Sequence, residues 1–294
     1  AVDTFAIHNG HKLITEEVKY VPALLTAFRE ILDNAIDEVV GNKSGTSIKV
    51  TFDPKTLTAS VEDNGAGIPE KDIQMVFTKL RSGSNFGDRG EVAGTNGVGA
   101  SVVAFCSSKF IVDVWANGKH HHQEFSETTG KNIKIGTCTT KKVLRKKGTK
   151  VTFTPSPKVF SNMILPEKLI KARLMELAFI YPKLKFYYNG SIVNGSTFFK
   201  GYDPIAINAD VKEENFKTTF YVIPKFHEGD NEHMHAVVNG ISCFRGGEHI
   251  KMFQRKFFSG LLENIKPESR KAKVVPNRND VAAGLLVFAV TRMK

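Results

Sequence analysis

Residues 30–38 read EILDNAIDE, inside the longer stretch YVPALLTAFREILDNAIDEVVG that runs from Tyr20 to Gly41. Leu24, Leu25, Phe28, Ile31, Leu32, Ala35 and Val39 recur at helical spacing, and they predict an amphipathic helix with a buried stripe. Pro22 suits its first turn and Gly41 its end. Glu30, Asn34, Asp37 and Glu38 fall at i, i+4, i+7 and i+8, so they share the face opposite that stripe. A carboxylate that can polarise water, with an amide oxygen one turn later able to meet Mg²⁺, is a workable pair for hydrolysing a phosphoanhydride. Taken alone, the same pattern also describes a solvated helix face.

The 294 residues suggest about two domains. Hydrophobic residues at 41% and charged residues at 24% are the composition of an ordinary globular protein and exclude a fibre or a disordered chain. Forty-one Lys and Arg against 30 Asp and Glu give a net charge of +11, which favours a polyanionic partner. Cys106, Cys138 and Cys243 lie far apart, so neither a disulfide framework nor a cysteine-rich zinc site is expected. No apolar run reaches the ~18 residues of a membrane span, and the first residues lack the character of a signal peptide. A soluble intracellular protein without a membrane partner is the expectation.

Downstream of the helix, SIKVTF (47–52) and TASVED (58–63) read as strands joined at Asp53-Pro54. VEDNGAGIP (61–69) ends the second strand in a turn. An ionised Asp63 only accepts hydrogen bonds, so it would suit an exocyclic amine such as that of adenine. Gly65 and Gly67 would let the backbone approach a flat ring. GTNGVGAS (94–101) is a glycine loop leading into SVVAFCSSKF, read as a helix. Its amides could cradle an anion, although no Walker-type pattern is present and the dinucleotide fingerprint fits poorly. KKGTKVTF (146–153) puts Thr149 at a strand start, where its hydroxyl could share a water with Asp63.

FIVDVWANG (110–118) reads as a strand closing in an Asn-Gly turn, and further strands are expected at 121–126, 133–139 and 149–154. A helix is expected over 162–180, and a hairpin turning at Asn189-Gly190 follows it. Gly201 to Pro204 reads as a domain boundary, giving 1–203 and 204–294. Beyond it come strands in 216–244, a helix over 246–265, a basic Pro-bounded loop at 266–278 and a closing apolar strand, AAGLLVFAV. His120, His121 and His122 alternate across a strand, which separates their side chains and argues against a metal site.

Four elements in this order, E-x-x-x-N, D-x-G-x-G, G-x-x-G-x-G and G-T, resemble the GHKL or Bergerat ATP-binding fold. EILDNAIDE, VEDNGAGIP, GTNGVGASVVAFCS, GKHHHQEF (118–125) and AVVNGISCFRGGEHI (236–250) resemble type IIA DNA topoisomerases. RSGSNFGD (81–88) is closer to the eukaryotic and T-even phage large subunits than to bacterial gyrase. The resemblance implies an α+β chain: a Bergerat ATP-binding α/β sandwich followed by a transducer domain like ribosomal protein S5.

It also implies ATP and Mg²⁺ as ligands. Glu30 would be the general base and Asn34 the metal ligand. Glu38 would lie near the nucleotide, and Asp37 is given no role. Asp63 would hold the adenine amine with Gly67 and Thr149, and Ile31, Val61, Ile68 and Val151 would wall the ring. Ser84 and Asn85 would touch ribose or phosphate, and Asn96, Gly97, Val98 and Gly99 would wrap the triphosphate. The implied partners are DNA bound without sequence preference, a second copy of the chain at the ATPase gate, and further topoisomerase subunits or domains, in the cytoplasm (the host's for a phage protein). A MutL-like or Hsp90-like ATP-gated clamp is the alternative of another class.

Three departures stand out. Ala66 replaces an arginine of the bacterial members. The family's R-P-x-M-Y-I-G arm is not found, and neither is its Q-T-K loop, so a truncated piece is expected that binds ATP better than it dimerises or hydrolyses it. KKVLRKKGTK (141–150) reads as a solvated basic edge, and 266–278 is the better DNA candidate, through phosphate contacts.

Overall fold

The computed structural model describes residues 1–78, 99–126, 133–211, 216–224, 233–243 and 248–293. The chain divides into two compact units, one of residues 1–8 with 15–198 and one of 9–14 with 199–294.

The first unit opens with a two-stranded sheet of β1 (Val2–His8) and β2 (Leu13–Lys19), which feeds helix α1 (Pro22–Ile36). Every residue of the apolar stripe read from the sequence is buried, from Leu24 and Phe28 to Ala35 and Val39. Residues Asp37–Gly41 form a π-helical turn, in which the Asn42 amide donates to the Asp37 carbonyl at 3.2 Å. Such wide turns often sit beside functional residues.

The large sheet follows. Its strands are β3 (Ser47–Asp53) and β4 (Thr58–Asp63), then, after the short helices α2 (Ile73–Thr78) and α3 (Gly99–Phe105), β5 (Ser107–Ala116), β6 (Lys119–Ser126), β7 (Lys134–Ile135), β8 (Thr139–Lys142) and β9 (Gly148–Pro155). Helix α4 (Glu167–Ile180) leads to β10 (Lys185–Tyr188) and β11 (Ser191–Val193). The order is β11-β10-β3-β4-β9-β5-β6-β7, with β8 paired to β6. All pairs are antiparallel except β10 with β3. One face of this sheet carries α1 and α4. Phe28, Ile31 and Leu32 of α1 share a single core with Ile48, Val50, Val61, Val112, Val114 and Val151 of the sheet. Leu169, Ile170, Leu174 and Leu177 of α4 complete it.

Two expectations need correction here. The helix read over SVVAFCSSKF ends at Phe105, and Ser107 already begins β5, because the alternating Phe110, Val112 and Val114 bury one face of a strand. The helix read from 162 starts at Glu167, since Pro166 holds the preceding residues extended. Asn117-Gly118 and Asn189-Gly190 close their hairpins as read, all four residues at positive φ.

The second unit holds β12 (Ile205–Val211), β13 (Phe216–Ile223), β14 (His233–Val238), β15 (Ile241–Ser242), α5 (Glu248–Ala272), α6 (Arg278–Ala282) and β16 (Leu286–Met293). Its sheet runs β12-β13-β16-β14-β15, with β14 parallel to β16. Phe220, Val222, Ile250, Phe258, Val287 and Ala289 form its core. Residues 266–272, read as loop, are helical: α5 continues through Pro267, because the surrounding Lys, Glu, Arg and Ala residues are good helix formers. Asn277 and Asp280 then close a capping box at the start of α6.

Candidate functional site

The site is built where α1 crosses β4, β9 and α3. At one end, Asp63 closes β4 with its side chain only 5% exposed. Its Oδ1 accepts from the Gly65 amide at 2.8 Å and the Thr149 amide at 3.3 Å. Burial pushes the Asp63 carboxyl up to about 6; the two amide hydrogen bonds work against that rise and the charge of Glu38 adds to it. With Oδ1 committed to the backbone, Oδ2 has no partner among the described residues.

Glycines allow this closeness. Gly148 sits at φ +124°, and a Cβ there would overlap the Asp63 carbonyl oxygen. Gly67, at φ +83°, lies so near β5 that a Cβ would come within 2.9 Å of the Trp115 carbonyl oxygen. Both the positive φ and the space select glycine. Val61 and Val151 are buried beside this turn and Ile68 is half-buried. Ile31 is buried in the apolar stripe of α1.

Glu38 supports the turn from the side of α1. Its Oε1 accepts from the Ala66 amide and from the Ser44 hydroxyl, each at 2.8 Å, and its Oε2 accepts from Asn42 Nδ2 at 2.7 Å. A Cβ on Gly65 would come within 2.5 Å of Glu38 Cγ. Asn64 Oδ1 meanwhile takes the amides of Thr46 and Ser47 at 2.8 and 2.9 Å. The turn is thereby tied on both sides.

Glu30 and Asn34 are the exposed polar residues of α1 at this end of the sheet, and neither side chain has a partner among the described residues. The Glu30 carboxyl is raised above the ordinary carboxylate value, chiefly by partial burial and then by the charge of Asp33, with Arg29 opposing. Gly99, the first residue of α3, lies directly against it. A carboxyl with a raised proton affinity, set beside a helix start, has the chemistry of a candidate base.

The structure brings Glu30 against Gly99, and separately brings Asp63 together with Thr149 and the turn through Gly67 that Glu38 supports. Ser84, Asn85, Asn96, Gly97 and Val98 lie outside the described residues. The sequence reading missed Asn64 and Ser44, which brace the turn, and noted Gly148 only as the glycine of the G-T element. It also missed the ion cluster under α1, where Arg173 donates to Glu176 and, at 3.3 Å, to Asp33.

The pattern of the histidine kinase-, DNA gyrase B-, and HSP90-like ATPases matches residues 20–159, and that part of the chain is an ATPase domain of this class. The chain is 34% identical over 252 residues to the B subunit of DNA topoisomerase 4 from Mycoplasma genitalium, covering 76% of this chain and 38% of that protein. It is 29% identical over 304 residues to the DNA topoisomerase large subunit of Enterobacteria phage T4, covering 94% and 54%. It belongs to the type IIA DNA topoisomerases and carries their ATPase region.

Solved structures agree on the fold. The ATPase region of Saccharomyces cerevisiae topoisomerase II superposes with a TM-score of 0.78 at 21% identity, over 99% of this chain and 79% of that one. The 43K ATPase domain of Thermus thermophilus gyrase B gives 0.58 at 27% identity, over 91% and 75%. The chain spans only 38%, 20% and 45% of the length of the first three curated relatives. Among the described residues no helix is long and apolar enough to cross a membrane.

Proposed function

We propose that this chain binds ATP with Mg²⁺ and hydrolyses it as the gate of a longer type IIA topoisomerase. The observation that carries the reading is the buried Asp63, whose Oδ1 is held by two backbone amides while Oδ2 has no partner among the described residues and is left for an amine; Glu30 of α1, set against Gly99, supports it. Asp63 Oδ2 would accept from the adenine amine and reject the guanine carbonyl. Glu30 would orient the attacking water and take its proton, a role for which a raised carboxyl is suited.

Asn34 fits Mg²⁺ by the chemistry of its donor: a hard, exposed amide oxygen with no competing partner among the described residues. A single protein ligand alongside substrate phosphates and waters is a common arrangement for this ion. When bound, Mg²⁺ would neutralise charge on the β- and γ-phosphates. Residues 1–203 would serve as the ATPase domain and 204–294 as the transducer. Dimer closure, passage of one DNA duplex through another, and contacts with further subunits belong to the longer protein. The basic residues of 266–278 are candidates for phosphate contacts there.

Calorimetry with magnesium and a non-hydrolysable ATP analogue tests the pocket. Binding of the adenine analogue at least tenfold tighter than that of its guanine counterpart is expected. Glu30→Ala should keep that affinity and abolish turnover. Equal affinity for the two nucleotides, or unchanged turnover in Glu30→Ala, would refute the respective assignment.

A further inference from the structure

The outer face of the β5–β6 hairpin carries a cluster that the nucleotide pocket does not use. Register places Asp113 opposite His122, Trp115 opposite His120 and Ile111 opposite Glu124. Strand alternation turns His121 inward, where its side chain is 3% exposed. The same alternation leaves His120 and His122 together on the outer face, on the side of Asp113 and away from the buried Val112 and Val114.

One carboxylate oxygen gathers both rings. Asp113 Oδ1 lies 2.8 Å from His120 Nε2 and 2.8 Å from His122 Nδ1. One ligand atom from each of the three residues falls within 4.8 Å of the others. Two further contacts fix the rings. His120 stacks on Trp115 with centroids 4.8 Å apart and planes 9° from parallel. The second nitrogen of His122, Nε2, faces Glu124 Oε1 at 3.3 Å. Side-chain exposures of 23%, 34% and 18% for His120, His122 and Asp113 leave the cluster reachable from solvent.

We propose that Asp113, His120 and His122 form a binding site for a divalent transition metal of the zinc class, with Glu124 as the outer carboxylate that orients His122. Two imidazoles and a carboxylate make a donor set that suits zinc, cobalt, nickel or copper and disfavours magnesium. Metal–ligand bonds of about 2.0–2.2 Å require donor atoms about 3.3 Å apart in a tetrahedron, so each nitrogen must move about half an ångström from Asp113 Oδ1, while the two nitrogens, within 4.8 Å of each other, adjust to the same spacing. Metal binding requires each ring nitrogen that faces Asp113 to release to solvent any proton it carries. The contact between His122 and Glu124 then becomes the carboxylate–histidine–metal relay that fixes ring orientation and raises ligand basicity. Three protein ligands leave the remaining position to water or to a donor from another molecule. The site stands apart from the nucleotide reading and survives its failure.

The test uses the untagged chain, stripped with chelator and without nucleotide, titrated with Co²⁺ and separately with Zn²⁺. The expected result is one equivalent of Co²⁺ with a visible ligand-field band, displaced by Zn²⁺ and unaffected by excess Mg²⁺. His120→Gln and His122→Gln should each weaken binding by about 100-fold, and Glu124→Gln by roughly 10-fold. Circular dichroism checks that each variant is folded. A measurement on the wild-type chain needs no variant: Co²⁺ must shift the imidazole proton resonances of His120 and His122. Absence of the band, the same stoichiometry in the two histidine variants, or shifts confined to other histidines overturns the proposal.

Discussion

Gly99 lies so close to Glu30 that a Cβ at position 99 would overlap Glu30 Oε2 and stand 2.7 Å from its Cδ. The two most obstructed atoms are the far end of a flexible side chain, and Glu30 Cβ, at 3.3 Å, needs to give by only a few tenths of an ångström. Gly99→Ala should therefore fold, with stability changed by less than about 1 kcal/mol, while the carboxylate swings out of place. Turnover should drop by roughly 10²–10⁴, the usual contribution of a positioned base. Since both changes remove the same group's action, Gly99→Ala combined with Glu30→Ala should be hardly worse than either alone. Steady-state ATP hydrolysis by the single and double variants decides it; multiplicative losses would mean that Gly99 acts independently of Glu30.

Asp63 couples nucleotide recognition to a stability cost. Its carboxyl moves from 3.8 to about 6 on folding, so the folded state holds the proton more tightly than the unfolded one. The relative benefit is complete below pH 3.8 and is lost as pH rises through about 6. At pH 8 the buried charge costs about 3 kcal/mol. Asp63→Asn keeps an oxygen for the amides of Gly65 and Thr149 and removes the charge. Its melting temperature should exceed wild type by roughly 5–10 °C at pH 8, with the gap closing near pH 4. Adenine affinity should be lost, because the new amide sets donor against donor. In the wild type, affinity should rise with pH through about 6. A variant that melts with wild type at pH 8, or that still binds ATP, contradicts this account.

The ion cluster under α1 should behave as buried charge does. Arg173 is 5% exposed and bonded to Glu176 and Asp33, linking α4 to α1 next to Asn34. Arg173→Met removes the buried guanidinium from two carboxylates, with Arg29 still acting on Asp33, and should cost about 3–5 kcal/mol. Replacing Asp33, Arg173 and Glu176 together by apolar residues of similar volume should recover most of that loss. Urea unfolding of the single and triple variants separates the outcomes: a triple variant as unstable as the single one would show that the cluster stabilises the fold beyond mutual compensation.

What could be read from the sequence was local. The stripe from Leu24 to Val39 and the Asn-Gly turns announce themselves because one element's periodicity or one turn's backbone demands them. Glu30, Asn34 and Asp63 stood out as candidates because their spacing lies within a single helix or strand end, and the order of the four elements gave them their expected roles. The partners that tune them come from afar. Arg173 reaches Asp33 across 140 residues, and the Ala66 amide meets Glu38 across 28. No short window of sequence contains either pair. The helical 266–272 was hidden by Pro267, whose local rule was overridden by its neighbours. The histidine cluster was hidden by alternation within one strand, while its third member, Asp113, stands on the next.

Glu38 offers a way to separate contact with the nucleotide from support of the turn. Both its carboxylate oxygens are engaged by Ala66, Ser44 and Asn42, and the turn it holds presents the Gly65 amide to Asp63. Glu38→Gln keeps an acceptor for Ala66 and Ser44, and the Asn42 amide can turn to present its oxygen. Nucleotide affinity should therefore stay within a few-fold of wild type. Glu38→Ala removes the acceptor altogether, leaves the Ala66 amide without its partner and should cost about 1–3 kcal/mol in stability together with tenfold or more in affinity. The charge of Glu38 also raises the Asp63 carboxyl, so Glu38→Gln should move the pH midpoint of nucleotide binding downward. Calorimetric affinities across pH for both variants make the distinction. Equal losses in Gln and Ala would place the carboxylate on the nucleotide itself; a preserved Gln variant with a lowered midpoint places it on the turn.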